Sequence, residues 1–202
     1  MHSPERLAQV LKTASLTSFS GFVYRIVPDR WRTSPLSAIG AVTRGGRFNS
    51  PSNFPILYTA DSQFTALREV EALFVDAEGR LRGAPRDPDL ILTLECTLLR
   101  VLDLTSTDKH LELGTSREEL TALSPSRFLL NARGLHTAAQ ELGLACFESG
   151  RILAIKAPSA VHDGGYCIDI LTDSLVDGER VTIRDEAGSL RAELAGQKPR
   201  DS

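Results

Sequence analysis

The sequence predicts an α+β fold: a single domain with a split, mainly antiparallel sheet and flanking helices. Two observations point there. Short apolar, β-branched-rich runs recur along the chain with a few helical patterns among them, too irregularly spaced for repeating βαβ units. The glycine pair Gly45-Gly46 lacks the spacing of a dinucleotide fingerprint or a P-loop. At 202 residues the chain can build one substantial core, and nothing demands a second.

Taken in order, Ser3-Pro4 opens a helix, on which Leu7, Val10, Leu11 and Ala14 follow the i, i+3, i+4, i+7 spacing. Residues 1–19 thus read as a helical extension packed on the outside of the main domain, 20–195, with 196–202 a polar, disordered tail. Ser20 to Ile26 reads as a strand, and alternation alone turns its Arg25 toward solvent. Asp29 to Thr43 is irregular, broken by Pro35 and Gly40. Ile56 to Ala60 is a buried strand. Asp61 is a good N-cap for the helix that follows from Ser62. On it Phe64, Ala66, Leu67, Val70, Leu73 and Phe74 make one apolar arc, with Glu69 at its border. Gly79 to Asp89 is a connection rich in glycine, proline and charge, and Leu90–Cys96 and Leu99–Leu104 read as two strands. Ser116 and Glu119 form a capping box for a short helix. Gly134 to Leu142 is another helix, closed by Gly143. Strand-like runs follow at Leu144–Phe147, Ile152–Lys156, Tyr166–Leu171 and Val181–Ile183.

Composition excludes several classes. With 42% hydrophobic and 24% charged residues and a net charge of −3, the chain offers no electrostatic case for binding nucleic acid or a membrane surface. No apolar run approaches the ~20 residues of a transmembrane helix, and the N-terminus lacks a signal-peptide pattern, so a soluble, cytoplasmic protein is expected. Cys96, Cys146 and Cys167 lack CxxC spacing and read as buried, reduced thiols. His2, His110, His136 and His162 show no ligand pairing, and no metal site is expected.

Arg44 to Glu69 holds the chain's densest set of chemically suggestive residues. Gly45 and Gly46 let the backbone approach a ligand closely and set the Arg47 guanidinium beside it. The strand delivers Tyr58 to a fixed place, and Glu69 at the edge of a buried stripe is an expensive position for a carboxylate. Singly, each residue has an ordinary structural reading: a turn with a surface charge, a core tyrosine, a helix-border glutamate.

As a set they carry more. Tyr24-Arg25, Gly45-Gly46-Arg47-Phe48-Asn49, Leu57-Tyr58-Thr59-Ala60, Ala66-Leu67-x-Glu69-Val70 and Ala157-Pro158-Ser159-Ala160 resemble the RES domain family, in the family's order, over roughly Gly21 to Leu171. Two departures stand out: Phe48 where family members often have tryptophan, and His162-Asp163-Gly164-Gly165-Tyr166 without an expected asparagine. The resemblance implies an ADP-ribosyltransferase-like fold and a bacterial toxin that consumes NAD, held in check by a cognate antitoxin with an Xre-type DNA-binding domain. NAD is then the substrate, with no prosthetic group, and the bond cleaved joins nicotinamide to ribose.

On that reading Glu69 stabilises an oxocarbenium-like ribose by charge and by holding a ribose hydroxyl. Arg25 and Arg47 fork the pyrophosphate, and Gly45 and Gly46 bring backbone N–H groups to the same phosphates. Tyr58 stacks on nicotinamide and orients it through its hydroxyl. Asn49 orients the loop or touches ribose. Ser159 is a hydrogen-bonding positioner, not a nucleophile, because no histidine base has a place beside it. Water, phosphate and a protein side chain all stay open as acceptor, the last making the chain an ADP-ribosyltransferase. A small acceptor is favoured, because the helix bearing Glu69 runs on through Glu71 to Leu73-Phe74. The reading from another class, an inactive nucleotide- or partner-binding module, is opposed by retention of Arg25, Arg47, Tyr58 and Glu69.

Overall fold

The computed structural model describes residues 1–85, 87–122 and 127–197. In chain order its elements are α1 (Pro4–Thr13), β1 (Thr17–Pro28), α2 (Ile39–Arg44), β2 (Ile56–Ala60), α3 (Gln63–Glu69), β3 (Leu73–Val75) and β4 (Leu81–Gly83). Then come β5 (Asp89–Asp103), α4 (Thr107–Leu113), α5 (Arg117–Thr121), α6 (Arg127–Ala132), α7 (Ala138–Glu148), β6 (Ala154–Pro158), β7 (Tyr166–Leu171), β8 (Arg180–Arg184) and β9 (Glu193–Ala195).

The split sheet does not form. Strands pair in the order β1-β2-β7-β6-β5-β8-β9, and β1 also pairs with β5, so five strands close into a barrel. Every barrel pairing is antiparallel except β5 with β6. That parallel pair follows from a long helical crossover, α4 to α7, between the two strands. Closure depends on β5. It is one strand of 15 residues where two were expected, because Thr97-Leu98 carries no breaker and the burial alternation runs through it. One edge of β5 follows β1 along almost its whole length, while the other divides between β8 at Thr93–Thr97 and β6 at Val101–Asp103.

The two faces of the barrel strands bury two apolar clusters. One gathers Val23, Leu57, Leu92, Leu94, Ile168 and Ile170. The other gathers Ile56, Leu102, Ile155 and Leu171 with Leu7 and Leu11 of α1 and Leu142 and Cys146 of α7. Leu7 and Leu11 are fully buried, worth about 1.5–3 kcal/mol each, so α1 is a wall of the core. Its cap is the expected one, Ser3 accepting from the Arg6 N–H, with Pro4 in the first turn.

Several elements differ from their sequence reading. The N-cap of α3 is Ser62, not Asp61, because Ser62 is extended and its side chain accepts from the Thr65 N–H. The helix ends at Glu69 and does not run on to Phe74. Glu71 takes a left-handed conformation (φ 58°), its N–H donating to Arg68 O while the Ala72 N–H donates to Leu67 O. This double closure usually uses glycine, and a glutamate hides it from the sequence. Leu73 and Phe74 belong instead to the β3–β4 hairpin, which falls partly in the expected 79–89 connection; residue 86 of that connection lies outside the described residues. The irregular 29–43 segment contains a 3₁₀ turn, Asp29–Trp31, and the start of α2. Of the expected disordered tail, 198–202 lies outside the described residues. Gly196 donates to Glu179 O, and Gln197 bridges to Val176.

The run at Leu144–Phe147 is not a strand but the second half of α7, and Gly143 does not close the helix. The helix is started by a full capping box, Thr137 with Gln140. Gly143 lies in its interior because the Phe48 carbonyl packs where a Cβ would stand. Gly143→Ala should therefore destabilise the protein by about 2–4 kcal/mol in urea unfolding despite alanine's better helix propensity. Wild-type stability would show that the Phe48 loop yields freely.

Candidate active site

Next to the α7 contact, α2 ends at Gly45, whose φ of 68° and close approach to Pro51 exclude a side chain. Gly46 lies against the Tyr58 ring, where a Cβ would collide with the phenol. The two N–H groups do not reach toward phosphates: Gly45 donates to Ala41 O (2.8 Å) and Gly46 to Asn49 O (2.7 Å). The pair serves the turn and close packing, a correction to the phosphate role the sequence suggested.

Asn49 is fully buried. Its amide donates to Ala41 O and Phe54 O, and its Oδ1 accepts from the Tyr58 hydroxyl at 2.7 Å. Of its two readings the geometry is that of a loop organiser, with no surface left for ribose. The Tyr58 hydroxyl also accepts from the Phe48 N–H (3.2 Å), so its polar end is engaged, and Tyr58 borders the cavity. Burial, and then Asp169, push this phenol far above its ordinary pKa. Gln140 ties the same loop to the start of α7, donating to Gly46 O and Asn49 O.

A cavity of about 980 Å³ opens beside this loop, bordered by Arg25, Gly45, Gly46, Arg47, Tyr58 and Glu69. Six of the eight residues singled out from sequence therefore meet at one cavity. Glu69 ends α3, and four donors converge on its Oε1: Ser159 Oγ (2.6 Å), Ala160 N (3.2 Å), Arg47 (3.4 Å) and Cys167 Sγ (3.4 Å). Oε2 takes none of them. The side chain is 24% exposed, enough for a ligand to reach. Ser159 is 4% exposed and off the cavity wall; its hydroxyl donates to Glu69 and accepts from the Val161 and His162 N–H groups. That is the geometry of a positioner.

The two arginines differ. Arg47 donates to Pro158 O (2.8 Å) as well as to Glu69. Burial alone would lower its pKa, but the charges of Asp169 and Glu69 help hold it above the ordinary value. Arg25 shares the face of buried Val23 and Val27, not the solvent face that alternation suggested. It donates to Tyr58 O (3.0 Å) and Ser37 O (3.1 Å), and its Nε is buried without a partner. Burial lowers it to about 10, so at neutral pH it remains a cation. Among the described residues no carboxylate pairs with it. A half-buried guanidinium held by carbonyls alone favours an incoming anion.

Sequence reasoning missed Asp169, which also borders the cavity. It is 1% exposed, and among the described residues neither carboxylate oxygen has a hydrogen-bond partner. The Thr59 backbone biases it toward the charged form without the alignment of a bond. Burial, opposed by Arg47 and reinforced by Glu69, raises it from 3.8 to about 7. The available signal was an aspartate inside the apolar run Tyr166–Leu171. Cys167 beside it is raised by burial first, then by Asp169 and Glu69, and stays a thiol able to donate to Glu69. Arg44 and Arg127 also border the cavity, and neither stood out as a site residue in sequence. Among the described residues no cluster of His, Cys, Asp and Glu could hold a metal ion, and no helix is long and apolar enough to cross a membrane.

A family model described as the RES domain matches residues 22–192. The NAD(+) phosphorylases MbcT of Mycobacterium bovis and Mycobacterium tuberculosis are 37% identical over 89 residues, 42% of this chain and 46% of theirs. The chain thus spans less than half the length of the curated relatives it matches. The crystal structure of the M. tuberculosis MbcT–MbcA toxin–antitoxin complex contains a similar fold, with a TM-score of 0.67 and 23% identity over 95% of this chain and 93% of that one.

Asp169 gives a stability prediction. Its folded pKa lies above the unfolded one, so its favourable contribution is complete below about 3.8 and is lost as pH rises through about 7. Asp169→Asn should raise unfolding free energy by roughly 2–4 kcal/mol at about pH 8 and leave it near wild type at about pH 4. Equal effects at both pH values would show that Asp169 is not held neutral by the fold.

Proposed function

This chain belongs to the RES domain family, and on that footing we propose that it cleaves NAD between nicotinamide and ribose, acting in the cytoplasm as the toxin of a toxin–antitoxin pair. The observation that carries this reading is the half-anchored Glu69 facing a cavity that also holds Arg25, a cation without an anionic partner among the described residues. A volume of about 980 Å³ suits a dinucleotide. The scaffold is read as ADP-ribosyltransferase-like, closed into a barrel.

NAD is the substrate, and the chemistry calls for no further cofactor, since nicotinamide departs as a neutral ring from a cationic pyridinium. The developing charge sits on ribose. Glu69 Oε2 stabilises it and holds a ribose hydroxyl, while the donors on Oε1 fix the carboxylate before the reaction begins. Arg25 takes the pyrophosphate. Arg47 orients Glu69 first and contributes its remaining N–H groups to the phosphates second. Tyr58 supplies a ring face for nicotinamide. Ser159 acts through Glu69.

Phosphate is the preferred acceptor: its oxygen bonds to the anomeric carbon as the bond to nicotinamide breaks, giving ADP-ribose-1″-phosphate and nicotinamide. The name of the mycobacterial relatives, NAD(+) phosphorylase, supports this choice, and so do Arg44 and Arg127 on the cavity wall. Because α3 ends at Glu69, no continuing helix stands against a protein acceptor. Restraint comes from a cognate antitoxin of Xre type that covers the cavity; the neighbouring fold solved as a toxin–antitoxin complex supports a protein partner. With a net charge of −3, DNA contact is left to that partner.

Glu69→Gln should lower NAD turnover by about 10²-fold or more while leaving affinity within a few-fold; unchanged turnover in a folded variant removes Glu69 from the chemistry. Arg25→Lys should weaken NAD binding in calorimetry, because a point charge cannot reproduce a fork. Product analysis with and without inorganic phosphate tests the acceptor. ADP-ribose in both conditions means hydrolysis, and label transferred from NAD to protein in extract means ADP-ribosylation. Expression without the antitoxin should arrest growth and lower cellular NAD. Normal growth with soluble, intact protein would defeat the toxin reading.

A further inference from the structure

Asp169 has no assigned task in the reading above, although its setting is the most unfavourable in the cavity. A carboxyl that is 1% exposed with both oxygens unpartnered is rare in native proteins unless a ligand supplies the missing bonds. The charged and titratable groups around it are Arg47 of the glycine turn, Glu69 of α3, Tyr58 of β2 and Cys167 of β7. All of them hydrogen-bond elsewhere: Arg47 to Pro158 and Glu69, Cys167 to Glu69, and Tyr58 to Asn49.

The register supplies the direction. Tyr58 and Asp169 stand directly opposite each other on paired strands β2 and β7, so their side chains lie next to one another on one face. A flat heterocycle stacked on the Tyr58 ring therefore presents its edge to Asp169. The ligand group needed at that edge carries an N–H donor beside a carbonyl acceptor, because the Asp169 carboxyl can offer an acceptor oxygen and, when protonated, an O–H.

We propose that Asp169 reads the leaving group: its carboxyl pairs with the ring carboxamide of NAD and selects against the nicotinic acid form of the dinucleotide. This rests on the NAD-cleaving reading and adds to it the residue that sets base specificity. Glu69 then serves ribose, Arg25 the pyrophosphate, and Asp169 the ring substituent. Nicotinic acid adenine dinucleotide carries a carboxylate at that position, which would face a second buried carboxyl beside Glu69 and lose the N–H that Asp169 requires. Burial raises Asp169 to about 7, so it serves as acid or carboxylate near neutrality, and a carboxamide pairs with either form.

The test compares the turnover-silenced Glu69→Gln chain with Glu69→Gln/Asp169→Asn, titrated calorimetrically at about pH 8 with NAD and with nicotinic acid adenine dinucleotide. Glu69→Gln should bind NAD at least about 10²-fold more tightly than the acid form. Adding Asp169→Asn should bring the two ligands within about 10-fold of each other, because the amide no longer carries the charge that repels a carboxylate. A purely structural Asp169 moves both affinities together and leaves their ratio unchanged, which overturns the inference. If wild type consumes NAD while the ratio stays put, this inference falls alone. If wild type neither binds nor consumes either dinucleotide, the proposed function falls with it.

Discussion

One oxygen of Glu69 accepts from four donors on three separate stretches of chain: Arg47 from the glycine turn, Ser159 and Ala160 from the segment after β6, and Cys167 from β7. Much of the architecture is needed to bring those stretches together. Barrel closure sets β7 between β2 and β6. The left-handed Glu71 stops α3 where the carboxylate meets its donors. The contact of Phe48 with Gly143, and the bonds from Gln140, hold the glycine turn against α7. A carboxylate so held loses rotational freedom before any ligand arrives, which is how a fixed charge becomes useful in catalysis.

The same region is thermodynamically unfavourable. Among the described residues Arg25 is a half-buried cation without a carboxylate, Asp169 a buried carboxyl without a donor, and Glu71 a glutamate in a conformation that suits glycine. None of these stabilises the fold, and all three border the cavity. The apolar clusters on both strand faces offset them. Concentration of unfavourable groups at one place separates a binding site from a generic cleft.

Local patterns made much of this legible. Short apolar runs located the strands that became β2, β6 and β7, and Ser3 and Ser116 are N-caps as their sequence context suggested. What failed was non-local or atypical. Barrel closure depends on β1 meeting β5, which no window of sequence contains. The end of α3 was hidden because its left-handed residue is a glutamate. Gly143 looked like a helix terminator, since nothing local reveals that the Phe48 carbonyl lies against it. Of the site, Arg25, Arg47, Tyr58 and Glu69 stood out through their combination. Asp169 did not, although a lone acid in an apolar strand was visible, because no helix pattern or glycine turn drew attention to it.

The closed barrel also orders events in time. β1 cannot complete its pairing until β5 has been made, and the Glu69 donors Ser159 and Cys167 come from the last third of the chain. At ~5–20 residues per second, Asp169 leaves the synthetic machinery about 100 residues and on the order of 5–20 s after Glu69. A nascent chain thus carries Glu69 without these donors while the intervening residues, about 100, are added. On the proposed toxin reading, that delay gives a restraining partner time to engage before the first turnover.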